Sequence, residues 1–303
     1  MTPIRRPTAC QTEPVSAAVP PGTESADRLL VTGAGGQVGG ELLRLIPAVR
    51  AFTRSELDIT DRAAVESVVR PGDTVLNCAA FTAVDLAESE PAAAFAGNET
   101  GPAVLAAACA RAGARLVHVS TDYVFPGTAT TPYEPSDPTG PTTVYGRSKL
   151  AGERAVRGLC PRSHIVRTAW VYSGTGGDFV ATMRRLERER DTVSVVNDQI
   201  GSPTFAADLA AGLLELAANP AAPAVLHATN AGRASWFDLA RAVFTGIGAD
   251  PERVRPCTTS EFPRPASRPA FSVLSGTAWC DAGLTPLRPW ESALTEALTR
   301  ASH

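Results

Sequence analysis

The chain has 303 residues and a formal net charge of -3, with 44% apolar and 19% charged residues. Its arginines are scattered rather than clustered, which argues against a protein that binds nucleic acid or a membrane surface. No apolar run approaches the ~20 residues of a membrane-spanning helix. The six cysteines lie far apart, without a CxxC pair, so we expect reduced thiols and a cytoplasmic protein.

The predicted elements begin after an N-terminal tail. Residues 1–27 are rich in Pro, Thr, Ser and Ala and lack a periodic apolar pattern, which predicts disorder. Residues 28–172 alternate short apolar segments with segments of helical spacing, the pattern of a doubly wound parallel sheet. We therefore predict an α/β protein with a Rossmann domain over 28–172. Its strands are expected at 29–31, 49–52, 74–77, 116–120 and 164–167, and its helices at 38–46, 61–69, 92–112 and from 145.

The alternation of strands and helices breaks down after residue 172. We interpret 173–303 as mainly a smaller C-terminal substrate lobe, from which strands within about 193–230 return to the Rossmann domain. The Pro- and Arg-rich run 256–269 predicts a loop. The strands of this half are expected at 193–196 and 225–230, and its helices at 179–190, 208–218 and 236–247.

A glycine fingerprint follows the first predicted strand directly. It reads TGAGGQVG over residues 32–39, between a strand and a helix. In that context Gly33 permits a tight turn, Gly36 lets the backbone approach a pyrophosphate, and Gly39 allows close contact between helix and sheet. The sequence therefore predicts a dinucleotide cofactor at this turn. The other residues of the fingerprint expected beside it are Gly35, Gln37 and Val38.

The end of the second predicted strand indicates which dinucleotide binds. An acidic residue there binds the ribose hydroxyls of NAD, whereas arginine accommodates the 2'-phosphate of NADP. The sequence has Arg54 and Ser55, with no acid before Glu56. This favours NADPH and leaves NADH open. The further residues expected along the cofactor are Asp58, Ile59, Ala79, Ala80 and Thr82.

Tyr145 and Lys149 form a YxxxK pair on the helix that follows a long loop. A spacing of four places both side chains on one helix face. Of the 28 basic residues, 27 are arginine and one is lysine, which suggests that Lys149 occupies a position where a guanidinium does not suffice. We expect its ammonium to lower the pKa of Tyr145 and to contact the cofactor ribose. Tyr145 then acts as general acid on a ketone, whose oxygen Thr121 holds.

At these residues the chain resembles the dTDP-4-dehydrorhamnose reductase family of extended short-chain dehydrogenases/reductases, including its dihydrostreptose synthase-type branch. The likeness covers roughly residues 28–300. Further matching elements are 225–230, the Ser235-Trp236 pair and the Arg264-Pro265 element with Ser267. The longest matching segments are GAGGQVGGE (33–41), NCAAFTAVDLAESE (77–90), VSTDYVFPG (119–127), VYGRSKLAGE (144–153), RTAWVY (167–172) and NDQIGSPT (197–204).

The resemblance implies NADPH-dependent reduction of the 4-keto group of a nucleotide-linked 6-deoxyhexose, in deoxysugar biosynthesis. The product is dTDP-rhamnose or an antibiotic sugar such as dTDP-dihydrostreptose, and Asp178, where the family pattern suggests an amide, leaves the exact sugar open. Carried over by position, Thr121, Tyr145 and Lys149 are catalytic. The residues expected at the sugar or nucleotide are Thr121, Asp122, Tyr123, Trp170, Gln199 and Arg264.

Some family members are magnesium-bridged dimers that use acidic residues. Glu41 matches one such position, and Asp191 and Glu296 lie near the others, so magnesium and a homodimer stay open. The four histidines form no metal-ligand pattern, and the residues by themselves predict no metal.

Two other functions stay open. One is a nucleotide-sugar epimerase, which shares fold and cofactor. The other is a non-catalytic, nucleotide-binding regulatory subunit, although Thr121, Tyr145 and Lys149 argue against it. A sugar 4,6-dehydratase is disfavoured, because Tyr123 stands where those enzymes carry a catalytic acid.

Overall fold

The computed structural model describes residues 26–301. The predicted disordered tail lies outside these residues, except for Ala26 and Asp27 at the start of a short 3-10 helix, Ala26–Arg28. The five cysteines in the described part are free thiols. No helix in residues 26–301 is long and apolar enough to cross a membrane.

A six-stranded parallel sheet forms the centre of the molecule, in the order β10-β5-β4-β3-β1-β2. Because the chain passes from β1 outward to β2 and then returns to β3 on the other side, a crevice opens between β1 and β3 at the carboxyl ends of the strands. The strands of the sheet are β1 (Leu29–Thr32), β2 (Arg50–Phe52), β3 (Thr74–Asn77), β4 (Arg115–Thr121), β5 (Ser163–Thr168) and β10 (Val225–His227).

Helices cover both faces of this sheet. Alternate strand residues point to opposite faces, so Leu29 and Val31 pack against helices α1 and α8, whereas Leu30 packs against α2, α5 and α6. The fold is therefore the doubly wound Rossmann type that the sequence predicted. The helices are α1 (Gln37–Leu45), α2 (Arg62–Val68), α3 (Val84–Ser89), α4 (Pro91–Phe95), α5 (Gly101–Ala112), α6 (Val144–Leu159), α7 (Phe179–Glu189), α8 (Ala206–Ala217), α9 (Trp236–Gly246), α10 (Thr277–Asp281) and α11 (Trp290–Arg300).

The long helix predicted at 92–112 is interrupted. A π-helical segment, Ala96–Thr100, separates α4 from α5. The buried Asn98 in this segment bonds the backbone of Phe81 through both its amide atoms, at 2.8 and 3.0 Å. A Cβ on Gly152 would lie 1.9 Å from the Asn98 carbonyl, so the glycine lets α6 pack directly on the π segment.

The second half of the chain contributes short two-stranded sheets and its own core. Val193–Val196, which we expected to return to the Rossmann sheet, pairs instead with Val254–Cys257, so the predicted loop 256–269 begins with the end of a strand. Only Val225–His227 of the 193–230 region joins the central sheet. The division into two domains stays a prediction. The remaining strands are β6 (Val171–Tyr172), β7 (Val193–Val196), β8 (Ile200–Gly201), β9 (Thr204–Phe205), β11 (Ala234–Ser235) and β12 (Val254–Cys257).

Candidate active site

The glycine turn between β1 and α1 is packed so tightly that larger residues do not fit. Gly33 has a φ of 73°, and a Cβ there would lie 2.5 Å from the Ala79 amide nitrogen. A Cβ on Gly39 would lie 2.3 Å from the Gly33 carbonyl oxygen. Helix α1 begins after Gly36, which has no side chain to cap its first amides. The first three residues of α1 line an open cleft, so the turn fits the pyrophosphate of a dinucleotide.

A cleft of about 1250 Å³ runs from this turn across the carboxyl ends of β3, β4 and β5. It brings together most of the residues that the sequence assigned to the cofactor and the substrate. Those lining it are Gly33, Gly35, Gly36, Gln37, Val38, Gly39, Arg54, Asp58, Ile59, Ala79, Ala80, Thr82, Thr121, Asp122, Tyr123, Tyr145, Lys149 and Trp170.

Arg54 and Ser55 are separated by the structure, although the sequence grouped them. Arg54 lines the cleft, whereas Ser55 is exposed outside it, with its hydroxyl 3.1 Å from that of Thr53. The Glu56 carboxylate accepts from the Thr53 amide at 2.8 Å and from its hydroxyl at 2.7 Å. Glu56 thus caps the turn, and Arg54 is the residue left to meet a cofactor.

Thr121 and Tyr145 meet at the centre of the cleft. Thr121 ends β4, and Tyr145 lies in the first turn of α6, which the Thr143 hydroxyl caps by accepting from the Gly146 amide at 3.0 Å. Burial raises the pKa of Tyr145 to about 12, and a hydrogen bond with Thr121 opposes the rise. We expected Lys149 to lower this pKa, but desolvation prevails. Tyr145 therefore keeps its proton at neutral pH.

Lys149 is buried beneath the cleft, one helix turn after Tyr145. Its ammonium donates to the Val119 carbonyl at 2.7 Å. Burial lowers its pKa to about 8, and the Glu153 carboxylate opposes the fall. Glu153 in turn accepts from the Ser120 hydroxyl at 2.6 Å and pairs with Arg167 at 2.8 Å. A buried ion pair therefore supports the lysine from behind.

Asp122 places a buried carboxyl next to Thr121. Its Oδ1 accepts from the Thr121 hydroxyl at 2.9 Å. Burial raises the pKa of Asp122 to about 6, and the hydrogen bond from Thr121 is among the contacts that oppose the rise. Asp122 is thus ionised at neutral pH and fixes the orientation of the Thr121 hydroxyl.

Trp170 and Trp236 form an aromatic wall on the far side of the cleft. Their rings stack with centroids 3.6 Å apart and planes 7° from parallel, and both line the cleft. Trp170 has a positive φ of 47°, a strained conformation for a bulky residue. A Cβ on Gly201 would lie 2.4 Å from the Trp170 ring, so this glycine makes room for the stack.

Trp236 was named only in a matching element and not among the predicted substrate residues, although the start of its helix was recognisable. The Ser235 hydroxyl accepts from the Asp238 amide at 2.9 Å, and the Asp238 carboxylate accepts from the Ser235 amide at 3.0 Å. This capping box fixes Trp236 in the first turn of α9. Asp178, also at the cleft, caps α7 in a similar way and accepts from the Ala181 amide at 2.9 Å.

Two predicted substrate residues lie outside the cleft. The Gln199 amide donates to the Thr259 hydroxyl at 3.0 Å and is buried by that contact. Arg264 has a half-exposed side chain over the Phe262 ring, 4.8 Å from its centroid. In this segment the arginine that lines the cleft is Arg268. Arg264 belongs to the first of two Arg-Pro pairs four residues apart, and its contact with the substrate stays a prediction.

The acidic residues linked with magnesium are already paired with arginines. Arg300 donates to the Glu41 carboxylate at 3.3 Å and also pairs with Glu296. Arg288 holds the other oxygen of Glu296 at 2.5 Å. Asp191 belongs to a different region, where its carbonyl accepts from Arg253 at 3.0 Å. Within residues 26–301 of one chain no three His, Cys, Asp or Glu side chains are grouped to hold a metal ion, so one chain by itself supplies no magnesium site.

A Rossmann sheet, a glycine turn and a Thr, Tyr and Lys trio at the same cleft define an extended short-chain dehydrogenase/reductase. Comparison with known proteins narrows this class. The family model described as RmlD substrate binding domain matches residues 27–303. The chain belongs to that family.

Similar proteins in this family carry reductase names. The chain is 56% identical over 282 residues to the dTDP-4-dehydrorhamnose reductase of Mycobacterium tuberculosis, which covers 90% of this chain and 93% of that one. It is 48% identical over 279 residues to the dTDP-4-keto-6-deoxy-D-glucose reductase of Streptomyces niveus, and the match covers 89% of this chain and 96% of that one. A crystal structure of dTDP-4-dehydrorhamnose reductase from Bacillus anthracis in complex with NADP has a TM-score of 0.86 and 37% identity, covering 90% of this chain and 99% of that one.

Proposed function

We propose that this chain uses NADPH to reduce the 4-keto group of a dTDP-4-keto-6-deoxyhexose in deoxysugar biosynthesis. The observation that carries the proposal is the convergence of Thr121, Tyr145 and Lys149 on the cleft that begins at the glycine turn. The names of the similar proteins support the substrate class, and the NADP complex supports the cofactor. Both dTDP-rhamnose and a dihydrostreptose-type sugar are products within this proposal.

The residues of the chain divide the work around the keto oxygen. NADPH supplies a hydride to the keto carbon when it is bound. Thr121 holds the oxygen on which negative charge develops, once its hydroxyl turns toward that oxygen the proton that it otherwise donates to Asp122. Tyr145, protonated because its pKa is about 12, gives its proton to that oxygen. Lys149, charged below a pH of about 8, stabilises the tyrosinate left behind.

The cleft residues are assigned to two ligands. Arg54 is positioned to meet the 2'-phosphate of NADPH, since an arginine at this strand end favours NADP over NAD. The aromatic wall and Arg268 are assigned to the nucleotide sugar. The residues proposed to hold the cofactor are Gly33, Gly35, Gly36, Gln37, Val38, Gly39, Arg54, Asp58, Ile59, Ala79, Ala80, Thr82, Tyr145 and Lys149, and those proposed for the substrate are Thr121, Asp122, Tyr123, Trp170, Trp236 and Arg268.

The test supplies dTDP-4-keto-6-deoxyglucose and NADPH, with and without a 3,5-epimerase, and identifies the sugar by NMR. Stoichiometric oxidation of NADPH is expected from the wild-type chain. Tyr145→Phe removes the proton donor, and its kcat is expected to fall by a factor on the order of 10²–10⁴. Dependence on the epimerase selects a rhamnose-type substrate, whereas independence selects direct reduction of the 4-keto-glucose sugar.

The two alternative functions give different results in the same assay. A regulatory subunit oxidises no NADPH, and Tyr145→Phe changes nothing. An epimerase changes the sugar without net NADPH loss. Either outcome with folded protein contradicts the proposal. A cytoplasmic location and a homodimer stay predictions from the sequence.

A further inference from the structure

Asp85 connects two distant parts of the chain beside the cleft. It lies in the first turn of α3, and its Oδ2 accepts from the Arg268 guanidinium at 2.8 Å, across 183 residues of sequence. Its Oδ1 accepts from the Ala266 amide at 3.2 Å. Arg264 adds a weaker contact at 3.8 Å. The single carboxylate of Asp85 therefore holds segment 264–268 against helix α3, beside the cleft.

The segment that Asp85 holds has little other regular structure. The preceding short helix ends at Glu261, and the next bridge to a neighbouring strand is at Phe271. Arg268 also donates to the Ala266 carbonyl at 2.9 Å, which closes a small ring of contacts around Asp85. Because a loop arginine otherwise samples many rotamers, these contacts determine where its guanidinium lies.

Arg268 lies in the part of the cleft that also holds Tyr123. Arg268 lines the cleft, and its side chain is 19% exposed. Burial raises the pKa of Tyr123, and the Arg268 charge opposes that rise. The Tyr123 ring lies 5.5 Å from the Tyr145 ring. Arg268 thus lies on the substrate side of the cleft, with Tyr123 between it and the proposed proton donor.

We propose that Asp85 is a positioning residue that presents Arg268 to the diphosphate of the nucleotide-sugar substrate. This inference rests on the proposed function. The Asp85 carboxylate and the Ala266 carbonyl each take one of the five guanidinium donors, and the other three stay available for phosphate oxygens. Asp85 with Arg264 and Arg268 carries one net positive charge, so the cluster still attracts an anion. A preorganised arginine loses less freedom when the ligand arrives.

The test measures Asp85→Asn against the wild type. The amide keeps an acceptor for the Ala266 amide but removes the charge that holds Arg268. We expect the KM for the keto sugar to rise about tenfold, as for one lost charge-assisted contact, with kcat within about twofold and an unchanged KM for NADPH. Glu252→Gln is the matched control, because it breaks a surface ion pair with Arg241 by the same change; no kinetic change is expected.

Binding of dTDP by calorimetry separates this inference from the proposed function. The affinity of Asp85→Asn for dTDP is expected to fall about tenfold, whereas its affinity for thymidine, which lacks the diphosphate, stays the same. This result holds whether or not a sugar is reduced. Failure of the wild type to oxidise NADPH would contradict only the proposed function.

A double-mutant cycle with Arg268→Gln tests the coupling. If Asp85 acts through Arg268, adding Asp85→Asn to Arg268→Gln weakens dTDP binding little further. Additive losses would overturn the inference, as would an equal loss of thymidine or NADPH binding. An Asp85→Asn variant that melts like the wild type and binds dTDP equally well would also overturn it.

Discussion

Replacing Glu153 with glutamine tests how the buried ion pair supports the active-site lysine. Glu153 lies one turn after Lys149 on α6, and the side chains of Glu153 and Arg167 are each 5% exposed. Arg167 holds both carboxylate oxygens, at 3.0 and 2.8 Å. Glu153→Gln keeps the shape of the side chain but leaves the Arg167 charge buried without its partner. Both the stability of the fold and the protonation of Lys149 are therefore expected to change.

The stability change is expected to be large. Breaking a buried ion pair by removing one partner costs about 3–5 kcal/mol. The control is Glu66→Gln, which breaks the pair with Arg111; these side chains are 42% and 49% exposed. An exposed pair is worth about 0–1 kcal/mol. Urea unfolding at neutral pH compares the two losses, and equal losses would refute the assignment of Glu153 as a buried anchor.

The pH dependence of turnover separates support of Lys149 from general loosening of the fold. Burial lowers the pKa of Lys149 to about 8, and the Glu153 carboxylate opposes this. Without the carboxylate the pKa falls further, so the ammonium loses its proton at a lower pH. The alkaline decline of kcat is then expected to move to lower pH. Glu153→Asp keeps the charge and is expected to keep the decline nearer its original pH. A folded Glu153→Gln with an unmoved decline would refute the reasoning.

Three further predictions test other parts of the molecule. Arg54→Ala is expected to reduce the preference for NADPH over NADH by about 10–100-fold in kcat/KM, through loss of a charge-assisted contact with the 2'-phosphate; an unchanged ratio would show that Arg54 does not set the preference. Gly201→Ala places a Cβ 2.4 Å from the Trp170 ring and so displaces the ring, and the KM for the sugar should rise several-fold. Gly158→Ala is the control, because its Cβ meets nothing within 4 Å, and it should leave this KM unchanged. Chelation by EDTA is expected to leave the turnover and the melting temperature of the wild type unchanged, because the Arg300 guanidinium already neutralises the carboxylates of Glu41 and Glu296. Arg300→Gln should lower the free energy of unfolding by about 1–3 kcal/mol. Loss of turnover in EDTA would contradict this assignment.

The parts of the site that the sequence predicted depend on local geometry. The glycine turn follows its strand directly, and the spacing of Tyr145 and Lys149 is fixed by one helix. Thr121 ends a strand whose apolar run is easy to recognise. In each case the residues that determine where a functional side chain lies are within a few positions of one another in the sequence. The local sequence pattern is therefore enough to predict its place in the fold.

The parts that the sequence did not predict depend on partners far away in the chain. Nothing near Arg264 and Arg268 shows which of them lines the cleft, because Asp85, which accepts from Arg268, lies 183 residues away in the chain. The strand Val193–Val196 was recognised, but its partner Val254–Cys257 could not be read from its own residues.

The pKa of Tyr145 also depended on distant residues. The nearby lysine was visible in the sequence, whereas the burial that outweighs it comes from the packed fold. Burial is a property of the whole assembly of elements around a side chain, so spacing alone gave the wrong direction for this pKa.

The lone lysine has a practical consequence for labelling chemistry. Acylating reagents react with neutral amines, and an amine whose pKa is about 8 is far more often neutral near physiological pH than an ordinary lysine. Because Lys149 is the chain's only lysine, an acyl group that peptide mapping places on a lysine reports a reagent that has entered the cleft. Ligands that fill the cleft should slow this acylation in proportion to their occupancy. Mass spectrometry of the acylated chain thus becomes a binding assay that needs neither turnover nor an engineered probe.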